Sequence, residues 1–345
     1  MADAAKAAAP VLVVGTYERT LCGFEMDGAG SLKPIFHAPA HLGPIKAVAA
    51  AGKFMVSGGN DEEIRIFNIK RRVEVGALMR HQRPISCLRF HSMSHMVSGS
   101  DDGEMIVWRT KDWESLLHLK GHKGPVVDFD VHPSGRVLLS CGRDNTLRLW
   151  DLVRGKPLHS SVKSYGKTIT ILPEHHFVRW SPSGDAFALS CGNTVSLFDP
   201  ENSDRTALAV ASLVHDRQAL SAAYVDQHTL ATGGEDGVVR LWDIRTGKET
   251  GAAASMGSRV RAVVWDAAGE TLVTASSGGD IRTLKLHDLS KPVSVEKTRA
   301  RITCAAASSR PLHIEAPIAE VDPSASASAK VQRGGSDDKE RGDSG

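Results

Sequence analysis

Serine, histidine and aspartate are the members of a hydrolase triad, and this chain carries those types at repeating spacings. Ser98 precedes Asp102, Ser140 precedes Asp144, and Thr232 precedes Asp236, each hydroxyl four positions ahead of its carboxylate. Six positions after each aspartate stands a ring: Trp108, Trp150 or Trp242. A triad is known by the geometry and roles of its members. A catalytic centre is needed once, whereas this set recurs in several places. The spacing therefore points to a structural repeat, and no enzyme activity is expected.

Other chemistry is weaker. His81, His91 and His95 have a spacing that could suggest a metal, but no Cys or carboxylate completes a site at ligand spacing, so no metal is expected. His175 and His176 read as surface or packing residues. The stretch Gly233-Gly234-Glu235-Asp236-Gly237 lacks GxxxxGK[ST] and opens no helix; it reads as a turn, and no cofactor is expected. Cys22, Cys87, Cys141, Cys191 and Cys304 are scattered without a CxxC pair, which favours a reduced compartment.

The elements that position these residues follow from the ring spacing. Phe24, Phe67, Trp108, Trp150, Phe198, Trp242 and Leu284 are separated by 43, 41, 42, 48, 44 and 42 residues, giving seven matching positions. Ile64-Arg65-Ile66, Leu147-Arg148-Leu149 and Val239-Arg240-Leu241 alternate apolar and polar as half-buried strands do. Gly, Asn and Asp clusters separate them. With 345 residues, 41% of them hydrophobic and 24% charged, the chain can bury a large core. A net charge of +2 excludes a strong polyelectrolyte binder, though not a local patch. No apolar run approaches ~18 residues, so no membrane span is expected, and Met1–Pro10 makes a poor signal peptide.

Units of ~40–45 residues with GH and WD pairs are the signature of a propeller blade. Here the pairs are Gly121-His122, Trp150-Asp151 and Trp242-Asp243. On these residues the chain resembles the WD40 family. The fold expected is all-β: a seven-bladed WD40 propeller over 11–310, between disordered ends at 1–10 and 311–345. Val11–Gly15 reads as a second strand, and the orphan Arg301-Ile302-Thr303-Cys304 matches the opening strand Pro84-Ile85-Ser86-Cys87. The C-terminal strand is thus expected to complete the first blade and close the ring. The resemblance also implies a structural chain of Trp, Ser/Thr, His and Asp in each good blade. It maps onto His81, Ser98, Asp102 and Trp108; onto His122, Ser140, Asp144 and Trp150; and onto His215, Thr232, Asp236 and Trp242. His41, Ser57, Asp61 and Phe67 make a weakened version, because Phe has no N–H to donate.

A rigid ring works through its loops. The face bearing the histidines and Asp turns is expected to expose Asn60, Arg83, Asp101, Lys123, Arg143, Asp216, Arg217, Glu235 and Arg259. Its cations could make a basic rim for acidic protein or RNA phosphate, or a mixed-charge face interrupted by Asp101, Asp216 and Glu235. Val14–Glu18, Arg179–Gly184 and Ala300–Cys304 make the chain similar to the p21-activated-kinase-interacting protein family. That likeness implies a non-catalytic scaffold in nucleolar assembly of the large ribosomal subunit, monomeric within a larger complex. Its partners would be pre-ribosomal proteins or pre-rRNA, with p21-activated kinase as an alternative. Trp242-Asp243-Ile244-Arg245 also fits the WDxR pattern of cullin-RING ligase receptors.

Overall fold

The computed structural model describes residues 10–158, 169–170, 175–200 and 211–308. The ends expected to be disordered, 1–10 and 311–345, lie outside those residues except for Pro10. The described chain is built from strands alone, in seven sheets whose order runs from an inner strand outward.

Blade 1 is ordered Ile302–Ala307, Val11–Thr16, Thr20–Met26, Leu32–Pro39. Blade 2 comprises Ile45–Ala51, Phe54–Gly59, Ile64–Asn68 and Val73–Leu78; blade 3 comprises Ile85–His91, His95–Ser100, Glu104–Arg109 and Glu114–Lys120. In blade 4, Val126–Val131, Val137–Gly142 and Thr146–Asp151 are followed by two short strands, Lys156–Pro157 and Ile169–Thr170, which pair opposite ends of the third strand. Blade 5 is Val178–Trp180, Phe187–Cys191, Thr194–Phe198 and Ala211–Val214. Blade 6 is Ala219–Tyr224, Thr229–Gly234, Val239–Asp243 and Lys248–Ala252; blade 7 is Val260–Asp266, Thr271–Ser276, Asp280–Lys285 and Ser294–Lys297. Each of the seven spaced side chains lies on the third strand of its blade, which is why one ring marks one unit.

Closure is direct. Val13 pairs with Ala306 and Gly15 with Cys304, antiparallel. The Val11 amide donates to Ser308 Oγ at 2.8 Å. Gly15 cannot be larger, since a Cβ there would meet Cys304 Sγ and an Ile45 methyl at 2.7 Å. The ring is held by apolar cores at the junctions between blades. Cys87, Val107, Phe129 and Trp150 join blades 3 and 4, while Val14, Phe24, Val273 and Ile302 join blades 7 and 1. Such a core exists at each of the seven junctions. Burial of that apolar surface on both faces of every sheet is the main force for closure. One local reading changes: Gly233 and Gly234 end the second strand of blade 6 and do not turn, and a Cβ on Gly233 would strike Val260 of blade 7.

Candidate functional site

The Ser residues lie on second strands, and the loop before the first strand and the turn after the second bring His and Asp to them. In blade 4, Trp150 Nε1 donates to Ser140 Oγ at 2.9 Å. Ser140 Oγ lies 2.8 Å from His122 Nε2, and His122 Nδ1 lies 3.0 Å from Asp144 Oδ1. An ionised carboxylate only accepts, so the proton sits on Nδ1, Nε2 accepts from the serine, and the serine accepts from the indole. The Lys123 amide and the Thr146 hydroxyl also donate to Asp144. Burial acts to raise the Asp144 pKa, but these donors hold it below the usual carboxylate value. Burial lowers the His122 pKa against the pull of Asp144.

Blade 3 repeats the relay: Trp108 Nε1 to Ser98 Oγ at 2.8 Å, Ser98 Oγ to His81 Nε2 at 2.8 Å, His81 Nδ1 to Asp102 Oδ2 at 3.1 Å. Blade 2 has it without an indole donor: His41 Nε2 to Ser57 at 2.8 Å and Nδ1 to Asp61 at 2.9 Å. Despite triad-like spacing, Ser57, Ser98 and Ser140 are fully buried, and two of them are already tied to an indole. A nucleophile there would have no room for substrate.

Blade 6 departs from the expected pattern. Trp242 Nε1 donates to Thr232 Oγ1 at 2.7 Å, but among the described residues neither ring nitrogen of buried His215 has a hydrogen-bond partner. Asp236 is held instead by Arg240 Nη1 at 2.6 Å, and Arg240 Nη2 reaches Asp216 at 2.7 Å. Burial, then the Arg240 charge, push the His215 pKa down to about 4. The cause is local. Four residues before the ring, blade 4 has Thr146, whose hydroxyl receives Arg148 Nε at 3.1 Å and leaves Arg148 3.9 Å from Asp144. Blade 2 has Glu63, which takes Arg65 at 3.0 Å. Blade 6 has Val238, which intercepts nothing.

The candidate binding face is set by a recurring backbone bond. The amides of Asn60, Asp101, Arg143 and Glu235 donate to the carbonyls of Pro44, Pro84, Pro125 and Gln218, and Ser277 donates to Arg259. Asn60, Arg83, Lys123, Arg143, Asp216, Arg217 and Arg259 are exposed; Asp101 and Glu235 are half-buried. The interrupting carboxylates are occupied: Asp101 by Lys46 at 2.8 Å, Asp216 by Arg240, and Glu235 by Arg259 at 3.4 Å. Among the described residues, Arg83, Lys123, Arg143 and Arg217 have no carboxylate at ion-pair distance. Arg245 of the WDxR tetrapeptide is exposed but folds back on Asp243, Nη2 to Oδ2 at 3.1 Å.

Sequence reasoning missed a charged weld between inner strands. Arg89 of blade 3 donates to the Phe129 carbonyl and to Asp128 of blade 4, and Arg179 of blade 5 pairs with the same Asp128. Asp130 accepts from the Trp180 amide at 2.8 Å. Two cations and two carboxylates balance, so this set joins blades and leaves no free charge for a ligand. The signal was two aspartates in the otherwise apolar strand Val126–Val131. Among the described residues no group of three His, Cys, Asp or Glu could hold a metal ion. Burial raises the thiol pKa of Cys22 to about 11 and of Cys304 to about 12, far from a thiolate nucleophile.

The WD40 family (WD domain, G-beta repeat) matches residues 72–109, 113–151 and 211–243. Each match is an outer strand plus the three inner strands of the following blade. The chain is 33% identical to the p21-activated protein kinase-interacting protein 1-like of Gallus gallus, over 86% of this chain and 79% of that one. It is 33% identical to p21-activated protein kinase-interacting protein 1 of Bos taurus, over 85% and 76%. It is 32% identical to Shk1 kinase-binding protein 15 of Schizosaccharomyces pombe, over 78% and 75%. With its closed seven-bladed ring, the chain belongs to the p21-activated protein kinase-interacting protein 1-like family of WD40 propellers.

Proposed function

We propose that this protein is a non-catalytic WD40 scaffold in nucleolar assembly of the large ribosomal subunit, docking pre-ribosomal protein or pre-rRNA on its histidine-bearing face. The observation that carries the reading is the charge state of that face. Its interrupting carboxylates are neutralised by neighbours, while Arg83, Lys123, Arg143 and Arg217 stay exposed and without an ion pair among the described residues. Free cations on a rigid ring suit phosphate chains and acidic protein surfaces. The family likeness supplies the ribosomal context. Affinity purification with mass spectrometry and gradient sedimentation test it together. Co-sedimentation with large-subunit precursors is expected, and reversal of those four charges to Glu should release the protein from them. A charge-reversed variant that still co-sediments would overturn the role of the face.

A second reading is supported by relatives whose names state a kinase partner, p21-activated protein kinase-interacting protein 1 and Shk1 kinase-binding protein 15. It predicts direct binding to the regulatory domain of a p21-activated kinase, with reduced kinase activity. Purified components would separate the two readings.

A further inference from the structure

A different surface lies on the rim between blades 2 and 3. The turn from third to outer strand has the same form in four blades. The amides of Arg72, Trp113, Gly155 and Gly247 donate to the carbonyls of Asn68, Arg109, Asp151 and Asp243. The donor residue is left-handed each time, with φ of 54°, 60°, 64° and 65°. Glycine accepts that conformation freely, whereas a bulky side chain there is a strained outlier. Arg72 and Trp113 both hold it, and the Trp113 ring meets Phe54 edge-on at 5.3 Å. The same ring lines a cavity of about 310 Å³ shared with Leu78, Met79, Arg80, Trp108 and Glu114. Strain retained at a surface cavity points to use of that surface.

The surroundings define what fits. Outer strand Val73–Leu78 ends its sheet, and it exposes Val73, Val75 and the following Met79 at 49%, 53% and 68%. The outer strands of blades 1 and 6 carry Lys33 and Pro34, and Lys248 and Glu249; Val73–Leu78 has a single charged side chain, Glu74, which is paired with Arg65 at 3.5 Å. Lys70, Arg71 and Arg72 are exposed at one end of this strand and Arg80 at the other, none with an ion pair among the described residues. Glu114, the carboxylate on the cavity wall, is already taken by Arg109.

We propose that this rim is a docking site for an extended acidic peptide segment of a partner protein. One bulky apolar side chain of that segment enters the cavity against Trp113 and Met79. Its carboxylates meet Arg80 and the Lys70-Arg71-Arg72 turn, and its backbone follows the open edge of Val73–Leu78. Aliphatic neighbours and a cavity sized for one or two side chains favour a peptide over stacked bases.

The test is a display library of random 12-residue peptides screened against the full chain. Enriched peptides are expected to place a Leu, Ile, Met or Phe between Asp and Glu residues. Their affinity should drop at least tenfold for Met79→Asp and for Arg80→Glu, both exposed positions where the fold is spared, as an unchanged Tm would show. No enrichment, enrichment of basic or neutral peptides, or equal binding to both variants would overturn the proposal. So would displacement of the peptide by a uridine oligonucleotide that itself loses affinity for Arg80→Glu, which would assign the rim to RNA.

Discussion

Blades 4 and 6 carry the same four marker types at almost the same spacing, yet only blade 4 completes the relay. In blade 4 every polar member has a directed partner from indole to carboxylate. In blade 6 the chain stops at Thr232, and the buried imidazole of His215 has no hydrogen-bond partner among the described residues. The difference lies outside the marker residues. Thr146 occupies Arg148 in one blade, while Val238 lets Arg240 reach the aspartate in the other, with Asp216 drawing the guanidinium outward. A repeat motif therefore specifies its own hydrogen bonds only when the residues between its members keep competing charges away.

The largest effect tests the shared part. Trp150→Ala removes a fully buried indole from the core between blades 3 and 4 and should cost about 3–5 kcal/mol in denaturant unfolding. The next test separates the blades. Asp144→Ala strips His122, Thr146 and the Lys123 amide of their acceptor and should cost about 3 kcal/mol. Asp236→Ala leaves Arg240 paired with Asp216 and Glu249, so about 1 kcal/mol is expected there. Equal losses in Tm for the two variants would show that the relay in blade 4 adds nothing.

The seven-part ring was readable because each blade places one ring or large aliphatic side chain on its third strand, and strand alternation accompanies it. Closure was readable because Arg301–Cys304 had the pattern of an opening strand with no blade of its own. The failed relay was not readable by motif. Val238 looks like any apolar strand neighbour, and its consequence depends on where the Arg240 side chain comes to rest. The weld through Arg89, Asp128 and Arg179 joins residues from three blades, and no local period reports such a contact. The cavity beside Trp113 was hidden for the same reason, since its walls come from two blades.

Acid should reveal the orphaned imidazole. Folded His215 titrates at about 4 against 6.5 for an unperturbed histidine. Between those values the unfolded chain binds more protons, so stability falls as pH drops through that window. The loss attributable to His215 is about 2 kcal/mol by pH 5, and His122, also held low by burial, acts in the same direction. Asp61, Asp102 and Asp144 have lowered values, so their contribution is present above 3.8 and is lost only below it. Unfolding of the wild type and of His215→Phe from pH 7.5 to 5 checks the assignment. The variant should lose less stability over that range. An identical decline in both would remove His215 as its source.

The smallest effect is the most discriminating, because it should be a gain. Val238→Thr places in blade 6 the hydroxyl that blade 4 has at Thr146. A threonine has nearly the shape of valine, and at half-buried position 238 its added hydroxyl costs little provided it finds hydrogen-bond partners. Its hydroxyl can donate to Asp236 and accept from Arg240, as Thr146 does between Asp144 and Arg148. Asp236 is then free to turn toward His215, giving the Nδ1 proton its acceptor and letting Nε2 accept a hydrogen bond from the Thr232 hydroxyl. Two recovered hydrogen bonds, set against the loosened Arg240–Asp236 pair, give a net gain of about 1 kcal/mol. The imidazole titration should move upward from about 4 at the same time, because a carboxylate partner favours the charged ring. A Tm gain without that movement in the histidine NMR signal would mean better packing alone. A raised titration with Arg240 still on Asp236 would place the cause elsewhere than in the residue four before the ring.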